Sequence, residues 1–253
     1  MTQQGPTLSE LTEFAVQLAR RAGEVTLEYF RHGVEADLKA DGTPVTAADR
    51  CAEELLRREI GARFPADGIV GEEFGADAGE SGRVWILDPI DGTRSFVHGV
   101  PLYGVLVGLE IGGETALGVI HLPALGETVW ACSGGGCWWN GARAGVSQVG
   151  ELGRGLVTTS DVPTDGRLDR LFAAAGLRRT WGDCYGYALV ATGRAEVMID
   201  PVVAVWDVAA VKPIIEEAGG RFTDLHGRSG IRGGSAVGTN GLVHDAVLGL
   251  VKG

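Results

Sequence analysis

Leu11, Phe14, Leu18, Ala22 and Val25 recur every three or four positions near the start of the chain. That spacing predicts an amphipathic helix from residue 7 to about 31, with Thr7 and Glu10 forming a capping box at its start. "KADGTPVTAAD", residues 39–49, reads as a turn followed by a helix start. Thr46 can cap that second helix, which continues through Leu55 and Leu56 to about Phe64. "FPADGIVGEEFG" then gives a turn, a short strand at Ile69 and Val70, and the acidic pair Glu72–Glu73. The apolar run 84–87 reads as a buried strand that stops at Asp88. Short strands follow at 102–109, 115–121 and 128–131, separated by Gly112–Gly113 and by 123–126, the pattern of an antiparallel meander. "NGARAGVS" is a further hairpin-like turn.

The rhythm then changes. Strands at 156–159, Val197–Asp200 and Arg221–Thr223 alternate with helices at 168–175, 183–192, 206–218 and His244–Val251. Such alternation implies layered α/β packing. A boundary near residue 150 divides the chain into an N-terminal α+β half, 1–150, and a C-terminal α/β half, 151–253.

Composition narrows the function. A charged fraction of 22% is that of an ordinary water-facing globular chain. No apolar run approaches the roughly 18–20 residues that cross a bilayer. "MTQQGPTLSE" lacks the basic start and apolar core of a secretory signal. The net charge of −11 argues against nucleic acid or an anionic membrane as partner. Cys51, Cys132, Cys137 and Cys184 match no zinc spacing, and their low density suggests reduced thiols in the cytoplasm. An acidic chain that acts on a phosphate ester needs a bound divalent cation to invert the local field.

The candidate chemistry lies in "WILDPIDGTRSF", residues 85–96. Two carboxylates, Asp88 and Asp91, stand three apart at the end of an apolar strand, where they repel each other unless a cation joins them. Mg²⁺ takes oxygen ligands, usually one or two carboxylates with water and substrate phosphate. The Ile90 carbonyl lies between the two acids, and Glu72 joins them if its short strand pairs with theirs. Asp207 opens the helix "WDVAAVKPIIEEAGG", where a carboxylate also serves as a cap. Gly92–Thr93 begins a helix whose free N–H groups suit a phosphate.

"GEEFG", "WILDPIDGTRSF" and "WDVAAVKPIIEEAGG" resemble, in order and spacing, the three signature segments of the inositol monophosphatase family of Mg²⁺-dependent phosphatases. The resemblance covers nearly the whole chain and implies a layered αβαβα sandwich of the inositol monophosphatase and fructose-1,6-bisphosphatase type. It implies Glu72, Asp88, Asp91, Asp207 and the Ile90 carbonyl as metal ligands, for two or three Mg²⁺ ions. Gly92 and Thr93 are implied as the phosphate site. Thr93, Asp49 and Glu72 are implied as the catalytic residues, Thr93 and Asp49 orienting water, with Glu73 close behind. The implied reaction is metal-assisted hydrolysis of a phosphomonoester without a covalent intermediate. Family members of this type are often homodimers.

Specificity is expected in "WGDCYGYALVATGRAEVMIDP". Asp200 stands seven residues before Asp207, where inositol-specific members carry a glutamate, and Asp183 stands where they have a small neutral residue. That segment and "LKADGTPVTAADR" resemble the histidinol-phosphate phosphatases of the family. Added acid near the leaving group favours an alcohol that carries a cation, as L-histidinol phosphate does. Asp183 also qualifies as a cap of the helix after it. Arg194 is a further substrate candidate, in its own site or across a dimer interface. The competing readings are an inositol monophosphatase of broader taste, a metal-binding module without turnover, and a phosphatase of bisphosphorylated adenosine.

Overall fold

The computed structural model describes residues 5–30, 36–38 and 44–251. The expected turn at 39–43 and Arg31 lie outside them. Helix α1 (Leu8–Phe30) starts where the capping box places it: the Thr7 N–H donates to Glu10 Oε2 at 2.8 Å and the Glu10 N–H to Thr7 Oγ1 at 3.3 Å. A small antiparallel pair, β1 (Ala36–Leu38) and β2 (Pro44–Thr46), leads into α2 (Ala47–Arg63), capped by Thr46.

The next strands are β3 (Gly68–Gly71), β4 (Gly75–Asp77) and β5 (Arg83–Asp91), which runs into the short helix α3 (Thr93–Val97). The meander follows as β6 (Gly104–Ile111), β7 (Glu114–Leu122), β8 (Glu127–Cys132), β9 (Gly136–Trp139) and β10 (Ala142–Arg143). Together these strands form an eight-stranded sheet ordered β10-β9-β8-β7-β6-β5-β3-β4, antiparallel except where β3 meets β5. Cys137 is paired with Ala131, the residue next to Cys132. The two thiols therefore face opposite sides of the sheet, and all four cysteines are free.

The rest of the chain supplies β11 (Leu156–Thr158), α4 (Asp169–Ala174), β12 (Leu177–Arg179), α5 (Asp183–Ala191) and β13 (Val197–Asp200). It ends with α6 (Val205–Ala209), α7 (Val211–Glu217), β14 (Arg221–Thr223), β15 (Ala236–Thr239) and α8 (His244–Val251). Their strands make a five-stranded sheet ordered β12-β11-β13-β15-β14.

Strand alternation builds the layers. Trp85 and Leu87 of β5, with Val105, Val107 and Leu109 of β6, pack against α1 and α2. Ile86 and Leu106 point the other way, into a core shared with α5, α6 and α7. Met198 of β13 faces the same shared core, while Val197 and Ile199 face α4 and α8. The order is thus helix, sheet, helix, sheet, helix, the expected sandwich.

The helix expected over 206–218 is two helices. Pro213 has no N–H for the Ala209 carbonyl, and its ring crowds that carbonyl, so the hydrogen-bond ladder breaks between α6 and α7. The break lies directly on the first sheet, because a Cβ on Gly118 would sit 2.0 Å from the Ala210 carbonyl oxygen. Strand β15, absent from the sequence reading, is buried along its whole length. It therefore shows no polar alternation to mark it.

Candidate active site

Strand β5 carries the first two carboxylates to the C-terminal end of the first sheet. Pro89 cannot donate to the ladder, and the pairing with β6 slips between Asp88 and Asp91. Asp88 Oδ1 accepts the Ile90 N–H at 3.0 Å, a local turn within that slipped stretch, and the pairing resumes at Asp91. Helix α6 brings Asp207 over this end, where its Oδ2 accepts the Ala204 N–H at 2.7 Å and secures the first turn. Carboxylate oxygens of Asp88, Asp91 and Asp207 then lie within 4.8 Å of one another. Glu72 follows Gly71, which pairs with Leu87, and its N–H donates to the Leu87 carbonyl at 3.3 Å. Its charge is felt by Asp88, Asp207 and Asp49.

The electrostatics follow from burial and like charge. Burial first, then Glu72, Asp91 and Asp207, pushes Asp88 well above the usual carboxylate range. Burial and the charges of Asp183 and Asp207 raise Asp91, against hydrogen bonds from Cys184, whose backbone N–H donates to Asp91 Oδ2. Asp207 is pushed up to about 7 by burial, with the Ala204 N–H opposing and Glu72, Asp200 and Asp183 adding to the rise.

Asp49 uses only one oxygen. Its Oδ2 accepts the Thr46 N–H at 2.8 Å and the Thr46 hydroxyl at 2.6 Å, completing the α2 cap. Its Oδ1 is buried without a hydrogen-bond partner, and burial pushes its carboxyl up to about 6. Thr93 does not reach Asp49 directly: its hydroxyl donates to the Ile90 carbonyl at 3.0 Å. Gly92 adopts φ +86°, a left-handed turn open to glycine, and so starts α3 beside the acids.

An oxygen-only donor set fits a hard divalent cation. Three carboxylates raised mainly by burial and by one another, with the unpartnered Asp49 Oδ1 beside them, are an arrangement that a cation stabilises.

The expected substrate residues divide. Asp183 is brought to the site: its Oδ2 lies 3.1 Å from where a Cβ on Gly92 would be. It does not cap α5, since it is the first residue of that helix, at φ +51°, and its N–H donates to Ser160 Oγ at 2.7 Å. Asp200 is buried with both oxygens engaged, by the Ser160 N–H at 2.9 Å and the Tyr187 hydroxyl at 3.1 Å. Ser160 thus brackets both acids. The sequence reading missed it, because a serine after a strand carries no sign of partners 23 and 40 residues away. Arg194 is not brought to the cluster within the chain. Its guanidinium pairs with Glu127 at 2.7 Å and lies over the Trp139 ring at 4.4 Å. Glu127 starts β8, three strands from Asp91 on β5, or about 14 Å at the usual strand spacing.

The inositol monophosphatase family model matches residues 7–251. The chain belongs to that family. This inositol monophosphatase family member is therefore a phosphatase, of a family that depends on metal. It is 50% identical over 232 residues to the histidinol-phosphatase of Chlorobaculum parvum, covering 89% of this chain and 90% of that one. Identity to the histidinol-phosphatase of Mycobacterium tuberculosis is 42% over 246 residues, covering 92% and 95% of the two chains. Of the solved structures, the extragenic suppressor protein suhB of Bartonella henselae superimposes with a TM-score of 0.91 at 28% identity, covering 96% and 98%. An IMPase of Thermotoga maritima superimposes with a TM-score of 0.87 at 32% identity, covering 95% and 96%. Among the described residues no helix is long and apolar enough to cross a membrane.

Proposed function

We propose that this phosphatase hydrolyses L-histidinol phosphate to L-histidinol and inorganic phosphate, a step of histidine biosynthesis, with Mg²⁺ as its metal. The observation that carries the reading is the oxygen-only cluster Asp88–Asp91–Asp207 with a fourth acid, Asp183, set against Gly92. The two relatives named histidinol-phosphatase support the same substrate. The four free thiols fit a reducing, cytoplasmic compartment.

Glu72, Asp88, Asp91, Asp207 and the Ile90 carbonyl would hold the metal. Bound Mg²⁺ supplies Lewis acidity and positive charge, which lower the pKa of water and compensate the phosphate and the leaving oxygen. The N–H groups of Gly92 and Thr93 receive the phosphate. Thr93 Oγ1 orients the attacking water, and Asp49 Oδ1, poised at about 6, takes up its proton. Asp183 faces the leaving alcohol with negative charge and selects an ammonium over a neutral polyol. Asp200, held by Ser160 and Tyr187, keeps the wall behind Asp183 acidic.

The test is kcat/KM for L-histidinol phosphate and for inositol 1-phosphate, measured side by side with Mg²⁺. A preference of about a hundredfold or more for histidinol phosphate, about 2.7 kcal/mol of differential transition-state binding, is the expected result. Equal rates, or a preference for the polyol, would remove the substrate assignment and leave the metal chemistry standing.

A further inference from the structure

Helix α2 carries a second buried acid one turn beyond Asp49. Glu53 is fully buried on the face that Ala52, Leu56 and Ile60 make apolar. Its Oε2 accepts the N–H of Glu73 at 2.8 Å. Its Oε1 accepts the N–H of Phe74 at 3.2 Å and the Nε–H of Arg57 at 2.7 Å. Those two backbone groups belong to the turn between β3 and β4, the turn that holds Glu72. Arg57 extends the clasp to Asp77, at 2.8 Å, and to the Gly75 carbonyl. Gly71 makes room for it: a Cβ there would lie 2.0 Å from Glu53 Oε1.

The hairpin needs such a hold. Strand β4 is three residues long, exposed throughout, and forms the edge of the sheet. Short, solvated edge elements open at low free-energy cost. A second acid shows the same device elsewhere. Glu217 of α7 accepts the N–H groups of Gly134 and Gly136, each at 2.7 Å, and pins the turn between β8 and β9. That turn carries none of the site residues. Glu53 instead ties the Glu72 turn to the helix that also carries Asp49.

We propose that Glu53 is a positioning residue of the metal site: by gripping the Glu73 and Phe74 N–H groups it fixes Glu72 beside Asp88 and sets Mg²⁺ affinity. It touches neither substrate nor the reacting atoms. The inference rests on the reading that the cluster binds Mg²⁺, and the test separates the two. Mg²⁺ is titrated calorimetrically into chelator-treated wild type, Glu53→Gln and Glu217→Gln, without substrate, and melting temperatures are recorded alongside. Glutamine keeps the volume of Glu53 but turns an N–H₂ toward donors. The expected result is a rise of about tenfold in the Mg²⁺ dissociation constant for Glu53→Gln, with KM for substrate unchanged at saturating Mg²⁺. Glu217→Gln, which loses an equivalent clasp, should stay within about twofold of wild type by that same measure. An unchanged dissociation constant in Glu53→Gln, or equal shifts in both variants, would overturn the inference while wild-type binding preserves the metal reading. No Mg²⁺ binding by wild type would overturn both. If Glu53→Gln does not fold, Arg57→Ala leaves the carboxylate but loosens it, and should raise the dissociation constant about threefold, a smaller step of the same kind. An unchanged value there overturns the inference as well.

Discussion

The two ends of β5 bury carboxylates in opposite ways. At its start, Arg83 reaches Asp67 at 2.7 Å and Trp85 Nε1–H donates to the same acid at 2.9 Å. Burial alone would raise Asp67, but hydrogen bonds from Arg83, Ser81 and Trp85 hold it below the usual range. At its end, Asp88 and Asp91 meet Asp207 and are raised by burial and by one another. Glu110 follows the first pattern with Arg232 at 2.6 Å, and Glu53 with Arg57 at 2.7 Å. Among the described residues, arginines pair with Asp67, Glu110 and Glu53 and none pairs with Asp88, Asp91 or Asp207, the contrast that the proposed cation accounts for.

The contrast breaks most sharply at Asp91. Asp91→Asn should lower kcat by about 10³-fold, about 4 kcal/mol, while the chain stays folded. A near-normal rate in purified variant, assayed with saturating Mg²⁺, would take Asp91 out of the site.

Stability should move in opposite directions at the two ends. Asp67→Asn leaves the Arg83 guanidinium unmatched and should cost about 3 kcal/mol in urea unfolding. Asp88→Asn removes a repelled, buried charge and should raise the melting temperature of chelator-treated protein. Destabilisation by both substitutions would mean that the acids of the cluster are structural like Asp67.

The next effect sharpens the specificity end. Asp183→Asn should reduce kcat/KM for L-histidinol phosphate by about 10–100-fold, and that for inositol 1-phosphate by no more than about threefold. Equal losses on both substrates would assign Asp183 to architecture.

The smallest effect is the pH dependence. Asp207, at about 7, and Asp49, at about 6, bind protons more tightly in the folded than in the unfolded chain. Their contribution to stability is full below the unfolded carboxylate range near pH 4, and is lost as pH rises through about 6 to 7. On the proposed reading Mg²⁺ competes with those protons, so the rise in melting temperature that it produces should grow from pH 5 to pH 8. A rise that is flat with pH would show that Mg²⁺ binds elsewhere.

Much of this was legible because the signals are local. The Thr7–Glu10 box and the Thr46 cap mark both long helices, and Gly112–Gly113 marks the β6–β7 turn. The Asp88–Asp91 pair announced a site because two acids at the end of an apolar strand cost too much without a purpose. What escaped depends on distant partners. Pro213 did carry the sign of the α6–α7 break, and the apolar periodicity across it masked that sign. Glu53 was also visible in principle, as one acid on an apolar helix face four residues after Asp49, but its grip on the β3–β4 turn exists only in the fold. Ser160 and the Cys184 N–H act on residues far away in sequence, and nothing in their own neighbourhoods says so.

The most direct test of the central claim is anomalous diffraction from crystals of the wild-type chain soaked in Mn²⁺, an oxygen-seeking stand-in for Mg²⁺. The account predicts a strong anomalous peak in contact with the carboxylates of Asp88, Asp91 and Asp207, and its loss in Asp91→Asn. A well-diffracting soak with no peak among those three acids would contradict it.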